Sequence, residues 1–470
     1  MIQTQRLSKA IASGFGFEIL QKIIPFLMIS IARTRLGLEN FGYAIFCLSV
    51  IESLIPWVVA GYNHAASVDI NKKSFQIASI AQTVSNTQAL KLMHSAILLL
   101  GLLTFTTTGW ATNYHPTFFI LIAVCLISTA FESHWLLVAT QRVAWAHSLN
   151  GFSRFLCLIL TFFLVNGAED IHLLIFLWIS PSILIHITTA LWSIYTYGFK
   201  PPQVPSLPSF FTKATPYFWI IPLMTLLERV DVLCIEPLLG AEMSGLYGGP
   251  GRITHSLLQT LAAVGSAFFA EMLQVHSKKS LTQHLSLSLW FIALIIFPIL
   301  IGTPFIASPL LKATIGENHP LAAQLFCFFN LGLLPSILIQ VFGLQVLITR
   351  GEPQKFTKGL FLGIFSFFIC LCISSIHWSV YNIFLSACIG KTVAAVHLYK
   401  QSLTHLDGPV YHDAIKVIPG CLLMGVILMA AKQSIPWWGL IGLGAACFMT
   451  IQLFVFKKQF IQLKSYNDSK

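Results

Sequence analysis

An all-α polytopic membrane protein is the fold class this chain predicts. About fourteen transmembrane helices are expected, with twelve as the alternative count, arranged as two six-helix lobes related by a parallel pseudo-repeat plus C-terminal helices. Three observations predict it. The chain is 56% hydrophobic and only 10% charged over 470 residues, where soluble domains carry about 25% charged residues. Its apolar runs recur at lengths of roughly 20 residues, enough to cross a bilayer. The pattern L-G-x-E-x-x-G occurs twice, as Leu36-Gly37-Leu38-Glu39-Asn40-Phe41-Gly42 and as Leu239-Gly240-Ala241-Glu242-Met243-Ser244-Gly245, each time in a short break between two apolar runs.

In order, the candidate spans are 10–32, 41–63, 92–110, 117–139, 146–166, 171–197, 214–236, 245–270, 284–307, 321–348, 359–376, 379–399, 412–431 and 436–456. The weakest are the tightly spaced pair around His377 and the final two, which is why twelve stands as the alternative. Loop charge supplies the orientation. Arg6, Lys9, Lys72, Lys73, Arg142, Lys200, Lys278, Lys279, Arg350, Lys355, Lys358, Lys400, Lys457, Lys458 and Lys464 fall in one set of loops. The alternate loops hold only Arg33, Arg35, Lys312 and Lys432 beside the acidic Glu169 and Asp170. Basic loops stay in the cytoplasm, so both termini are expected there.

Two polar stretches interrupt the apolar pattern. Residues 64–90, with Asp69, Lys72, Lys73 and many Ser, Gln and Asn, read as a cytoplasmic connection and an amphipathic helix lying on the membrane surface. Pro201, Pro202, Pro205 and Pro208 exclude a helix and favour a stiff, extended linker. That linker divides the chain into an N-terminal lobe (1–199), the linker itself (200–210), a C-terminal lobe (211–400) and an extra helix pair with a basic tail (401–470). In both motif copies the first glycine suits a helix end where φ is positive. The glutamate suits the start of the next helix, where the macrodipole favours negative charge. The last glycine lets two helices approach closely. The copies lie six spans apart, and an even offset places them on the same side of the membrane.

Charges within the spans are the chemical signal. An Asp, Lys or Arg at the centre of a membrane helix costs about 2.5–3.5 kcal/mol on insertion scales, and such residues face a bundle interior or an aqueous cavity. The first span holds Glu18 and Lys22, the second Glu52, the fourth Glu132 and His134, and the fifth Arg154. The seventh holds Glu228, Arg229 and Asp231, with Glu236 nearer its end; the eighth holds Arg252 and the twelfth Lys391. A polar lumen would place Lys22, Arg154, Arg229, Arg252 and Lys391 as cationic positions for an anionic substrate. Arginine suits phosphate because it binds bidentately and keeps its charge when desolvated. Glu18, Glu52, Glu228 and Asp231 would balance those charges or take a coupling proton or sodium ion. The plainer alternative for any single residue is an internal salt bridge, such as Glu18 with Lys22.

Other chemistries lack their patterns. The net charge of +11 is spread over loops rather than gathered in a patch, which speaks against nucleic acid. The fifteen histidines and ten cysteines form no metal-ligand spacing. No outer loop is long enough to carry a catalytic centre, so neither an enzyme nor a cofactor is expected.

The two hairpins resemble those of the polysaccharide (Wzx-like) flippases, a family of the multidrug/oligosaccharidyl-lipid/polysaccharide exporter superfamily. Their motif A-R-x-L-G-x-x-x-F-G is similar to Ala32-Arg33-Thr34-Arg35-Leu36-Gly37-Leu38-Glu39-Asn40-Phe41-Gly42, with one extra residue. Their acidic seventh helix followed by L-L-G-x-x-x-x-G-L-Y is similar to Asp231 and then Leu238-Leu239-Gly240-Ala241-Glu242-Met243-Ser244-Gly245-Leu246-Tyr247. Gly248-Gly249-Pro250-Gly251 departs from the usual continuation. The resemblance implies a bacterial inner-membrane protein that moves an undecaprenyl-diphosphate-linked oligosaccharide to the outer leaflet by alternating access. Its partners would be the lipid-diphosphate-linked glycan, membrane lipids and a coupling proton or sodium ion. Two alternatives stay open: a cation-coupled exporter of small molecules on the same fold, and a membrane-bound polysaccharide polymerase, which would need a large outer loop.

Overall fold

A bilayer supplies no hydrogen bonds to the backbone, so a spanning segment must satisfy its own N–H and C=O groups, and helix does this within one segment. The computed structural model describes residues 2–72, 77–109, 112, 114–140, 142–204, 207–273, 275, 277–316, 319–374 and 377–455, and among these every regular element is helical. Lys73 and the basic residues of the tail lie outside the described residues.

Helix α1 (Ile2–Val59) is interrupted at Gly37 (φ 78°, ψ 171°). After it come α2 (Tyr62–Lys72), α3 (Ile77–Thr106), α4 (Pro116–Ala130), the short α5 (His134–Ala139), α6 (Val143–Leu164) and α7 (Ile171–Tyr197). The chain continues through α8 (Leu207–Ala214), α9 (Ile220–Leu239), α10 (Ala241–Met272), α11 (Lys278–Ile315) and α12 (Pro320–Gln340), which runs on as a π-helix over Val341–Ile348. Helices α13 (Pro353–Ile373), α14 (Val380–Ser402), α15 (His412–Ile415), α16 (Ile418–Ala431) and α17 (Trp437–Val455) complete it. Described helix covers most of each expected span, with the 117–139 span broken between α4 and α5 and the 412–431 span between α15 and α16. Among the described residues, nine helical segments are long and apolar enough to cross a membrane. Helix α9 is absent from the nine because Glu228, Arg229, Asp231 and Glu236 interrupt its apolar sequence.

Large side chains such as Leu100, Phe163, Phe365, Ile373 and Met429 are more than 60% exposed. Their distribution along the spans is that of lipid-facing surface; water would not tolerate so much apolar area.

The structure separates into two compact units, one of residues 19–245 and 368–387, the other of 1–18, 246–367 and 388–470. In the first unit, Ile45, Leu48 and Ile51 of α1 pack with Ile122 and Cys125 of α4 and Leu174 and Ile175 of α7. A second core joins Tyr62 and Ile70 of α2, Ile80 and Val84 of α3, Trp135 and Leu136 of α5, and Phe210 of α8. This corrects the surface-helix reading of 64–90. Helix α3 starts at Ile77, and Thr83, Ser85, Asn86 and Thr87 are buried within the unit. Their polar groups are met inside. Thr83 Oγ1 donates to Asp69 Oδ2 at 3.1 Å, and Asn86 Oδ1 accepts from Gln82 Nε2 at 3.1 Å and from the backbone N–H of Gln203 at 2.9 Å. The proline stretch is non-helical through 201–203 and is pinned to α3 by that bond and by Gln82 Nε2 donating to the Pro201 carbonyl at 3.0 Å. In the second unit, Trp290 and Ala293 of α11 pack with Cys421, Met424 and Leu428 of α16 and Phe448 of α17.

Candidate functional site

The two motif copies adopt one backbone conformation and touch each other. Gly240 (φ 89°, ψ 167°) ends α9 as Gly37 (φ 78°, ψ 171°) interrupts α1, a region of dihedral space that is essentially glycine-only. Beyond these turns the chains meet at the motifs' last glycines. A Cβ on Gly42 would run into the carbonyl oxygen of Ala241, and one on Gly245 would stand 2.6 Å from the carbonyl oxygen of Leu38. Ser244 Oγ donates to the Gly42 carbonyl at 3.1 Å across this contact.

Below the turns, α9 carries its charges toward neighbouring elements. Arg229 Nη1 lies 2.6 Å from Glu52 Oε2 of α1, with the two side chains 13% and 23% exposed. Seven residues on, and so on the same helical face, Glu236 Oε2 accepts from Tyr114 Oη at 3.1 Å. Tyr114 lies outside the spans, and burial pushes its phenol up, with the nearby Glu236 carboxylate adding to the shift. Asp231 is buried, and its Oδ1 accepts from the backbone N–H of Val232 at 2.9 Å. Glu228 beside Arg229 is half-buried.

The remaining expected residues stand on other helices. Arg154 is half-buried on α6, where its Nε donates to Asn150 Oδ1 one turn earlier at 2.9 Å. Arg252 and Lys391 are half-buried in the second unit. Two residues beyond Arg252, Thr254 Oγ1 donates to Asn330 Oδ1 at 3.1 Å, and Asn330 Nδ2 donates to Thr303 Oγ1 at 2.9 Å. The side chains of Glu18 and Lys22 lie outside the described residues. The structure thus joins Glu52 to Arg229 directly.

Two arginines have structural partners instead. Arg35 Nη1 donates to the carbonyls of Phe162 and Val165, each at 2.5 Å, at the C-terminal end of α6, and its guanidinium stands 5.1 Å from the Phe162 ring. Arg350 Nη1 donates to the Val275 carbonyl at 2.7 Å, just past α10. Cations suit helix C-terminal ends because of the macrodipole.

A further charged centre was not in the expected set. Lys91 of α3, 0% exposed, places Nζ 2.8 Å from Glu132 Oε2 and 2.9 Å from the Glu132 carbonyl oxygen. Asn63 Nδ2 donates to the same carboxylate oxygen at 2.9 Å. Glu132 occupies the break between α4 and α5. Lys91 went unremarked because hydropathy begins the third span at residue 92, whereas the helix begins at Ile77. The available signal was a lysine at a span edge with a glutamate inside the following span.

The second unit also holds an open apolar pocket of about 720 Å³ lined by residues such as Ile296, Leu338, Phe342, Val396 and Tyr411. Among the described residues, no charged side chain lines it. It suits hydrocarbon rather than sugar or phosphate.

A family model described as "Polysaccharide biosynthesis protein" matches residues 7–276. A protein of Escherichia coli (strain K12) named "Putative O-antigen transporter" is 24% identical over 350 residues, which cover 72% of this chain and 82% of that protein. Among solved structures, lipid II flippase MurJ in an inward closed conformation is similar with a TM-score of 0.74 at 12% identity, over 95% of this chain and 100% of its own. An inward-facing multidrug resistance MATE family transporter of the MOP superfamily has a TM-score of 0.59 at 12% identity, over 82% of this chain and 97% of its own. At that identity these likenesses establish the fold.

Proposed function

This chain belongs to the polysaccharide biosynthesis protein family, and from that premise we propose that it is a flippase for undecaprenyl-diphosphate-linked oligosaccharide. It carries the unit from the inner to the outer leaflet of the bacterial inner membrane, with both termini in the cytoplasm. The observation that carries this reading is the likeness to the E. coli protein over 350 residues, set on a multi-pass helical fold whose spans contain charges. It is a transporter's architecture rather than an enzyme's.

In this reading the lobes 1–199 and 211–400 rock about the 200–210 linker, with 401–470 as an accessory helix pair. The diphosphate is the strongest anion on the substrate. Arg154, Arg229, Arg252, Lys22 and Lys391 supply the cations for it, arginine by paired N–H donation. Glu52 holds Arg229 in place between cycles, since a buried guanidinium without a counter-charge is costly. Glu18, Glu228 and Asp231 serve as balancing charges or take a coupling proton or sodium ion. The prenyl tail stays in lipid, and the sugars occupy the polar lumen.

The test is export of surface polysaccharide in cells whose own transporter gene is deleted and replaced by this one. Restored polymer is expected, with loss on charge reversal of Arg154, Arg229 or Arg252 singly. No polymer from a well-expressed wild-type chain overturns the substrate class. Full export from all three reversals overturns the assignment of the lumen cations.

A further inference from the structure

The Lys91 centre takes no part in the transport scheme above, and its geometry is that of a cation site. Helix α4 stops at Ala130, and α5 restarts at His134. The break leaves carbonyl oxygens without partners from their own helix and presents the negative end of the α4 dipole. Two α3 residues one turn apart donate to one carbonyl in the last turns of α4 and to one in the break itself. Ser95 Oγ donates to Leu126 O at 2.9 Å and Lys91 Nζ to Glu132 O at 2.9 Å. The Glu132 carboxylate closes the site, with Oε2 on Nζ at 2.8 Å and Oε1 accepting from the Trp135 backbone N–H at 3.3 Å. Beside it, Asn63 Oδ1 is buried and accepts no hydrogen bond in the described structure. A carboxylate oxygen, a carbonyl oxygen and a helix C-terminal end around one positive charge make a set of hard oxygen donors. Membrane transporters use such sets at broken helices to hold alkali cations.

We propose that the Lys91 ammonium is a tethered cation, filling in this unit a site that would otherwise bind a free sodium or potassium ion. The tether makes the charge permanent and non-exchangeable. The break in α4 is thereby neutralised without an ion gradient, and any ion exchanged during transport is exchanged elsewhere. This inference is independent of the substrate reading, because its test reads binding and stability rather than export.

The full-length protein, purified in detergent, is unfolded thermally at constant ionic strength in sodium, potassium or N-methylglucamine chloride. Wild type is expected to show no sodium or potassium response that depends on Glu132. Lys91→Met is expected to melt lower in N-methylglucamine and to recover, saturably, with added sodium or potassium; the arm that restores it names the ion. Adding Glu132→Gln to Lys91→Met should abolish the recovery, and Lys91→Arg, which keeps a tethered charge, should show no ion response. The proposal is overturned if Lys91→Met melts alike in all three salts or is recovered folded in none of them. It is equally overturned if wild type gains stability from sodium or potassium in a Glu132-dependent way.

Discussion

Replacing Gly42 with alanine should separate the two motif hairpins, and the structure sets the size of the effect. The new Cβ would collide with the Ala241 carbonyl oxygen and lie 2.6 Å from the Gly245 nitrogen. Carbon–oxygen contacts settle near 3.3–3.6 Å, so the hairpins must part by roughly 1–2 Å. Backbone is involved on both sides, and no side-chain rotation can absorb the clash. Overpacking of this kind costs about 1–3 kcal/mol. Parting also loosens the 3.1 Å bond from Ser244 Oγ to the Gly42 carbonyl, worth ~1 kcal/mol. Alanine's better helix propensity returns about 0.5–1 kcal/mol. The net expectation is roughly 1–3.5 kcal/mol against the joined hairpins, a shift of about fivefold or more in any equilibrium that opens them. The assay is denaturant unfolding of the purified protein in mixed micelles, with Gly101→Ala as control, because a Cβ there meets nothing within 4 Å. Gly101→Ala should be neutral or slightly stabilising. If Gly42→Ala is as stable as that control, the close backbone contact is not a feature of the folded protein, and the reasoning fails.

Further outcomes follow from the same geometry. Glu52→Gln should lower stability by about 1–3 kcal/mol and reduce export, and the exchange Glu52→Arg with Arg229→Glu should recover part of the stability while export stays low, as read by unfolding and surface-polymer assays. Gly37→Ala and Gly240→Ala should each cost about 1–3 kcal/mol in unfolding measurements, alike in both copies, because both glycines sit at positive φ with ψ near 170°. Asn330→Leu should destabilise the second unit by about 0.6–1.7 kcal/mol through loss of the Thr254–Asn330–Thr303 chain, measured in the same way. Outside the spans, burial raises the Glu352 carboxyl, but bonds from Lys355 at 2.8 Å and His405 at 2.9 Å outweigh it and hold the group below its ordinary value. A depressed carboxyl contributes stability above its unfolded pKa and loses it as pH falls through the folded one. Acid titration of stability should therefore steepen below pH about 4.3, and Glu352→Gln should flatten that limb.

Individual residues mark where sequence reading held and where it stopped. Gly37 and Gly240 were legible because a chain reversal between two spans leaves few residues other than glycine that can turn the backbone. Arg229 stood out because a charge in a membrane span has no cheap local explanation. Its partner Glu52 lies 177 positions away in the sequence, and no periodicity links the two. Lys91 and the 64–90 stretch were misplaced for a related reason. Hydropathy scores each residue against lipid or water, but Asn86 and Lys91 face neither, since other polar groups of the protein surround them. Arg35 looked like a loop charge until the end of α6 arrived beneath it.

The sequence by itself determined that this is a multi-span helical protein with a repeated glycine hairpin and charges in its spans. Those are consequences of lengths, compositions and backbone freedom that each segment carries alone. Only the tertiary structure decided that the two hairpins press glycine against glycine, that Glu52 meets Arg229, and that Lys91 enters the break in α4. Each of these requires two distant segments to arrive within 3 Å or so, a separation set by packing of the whole unit and written in no single stretch of the chain.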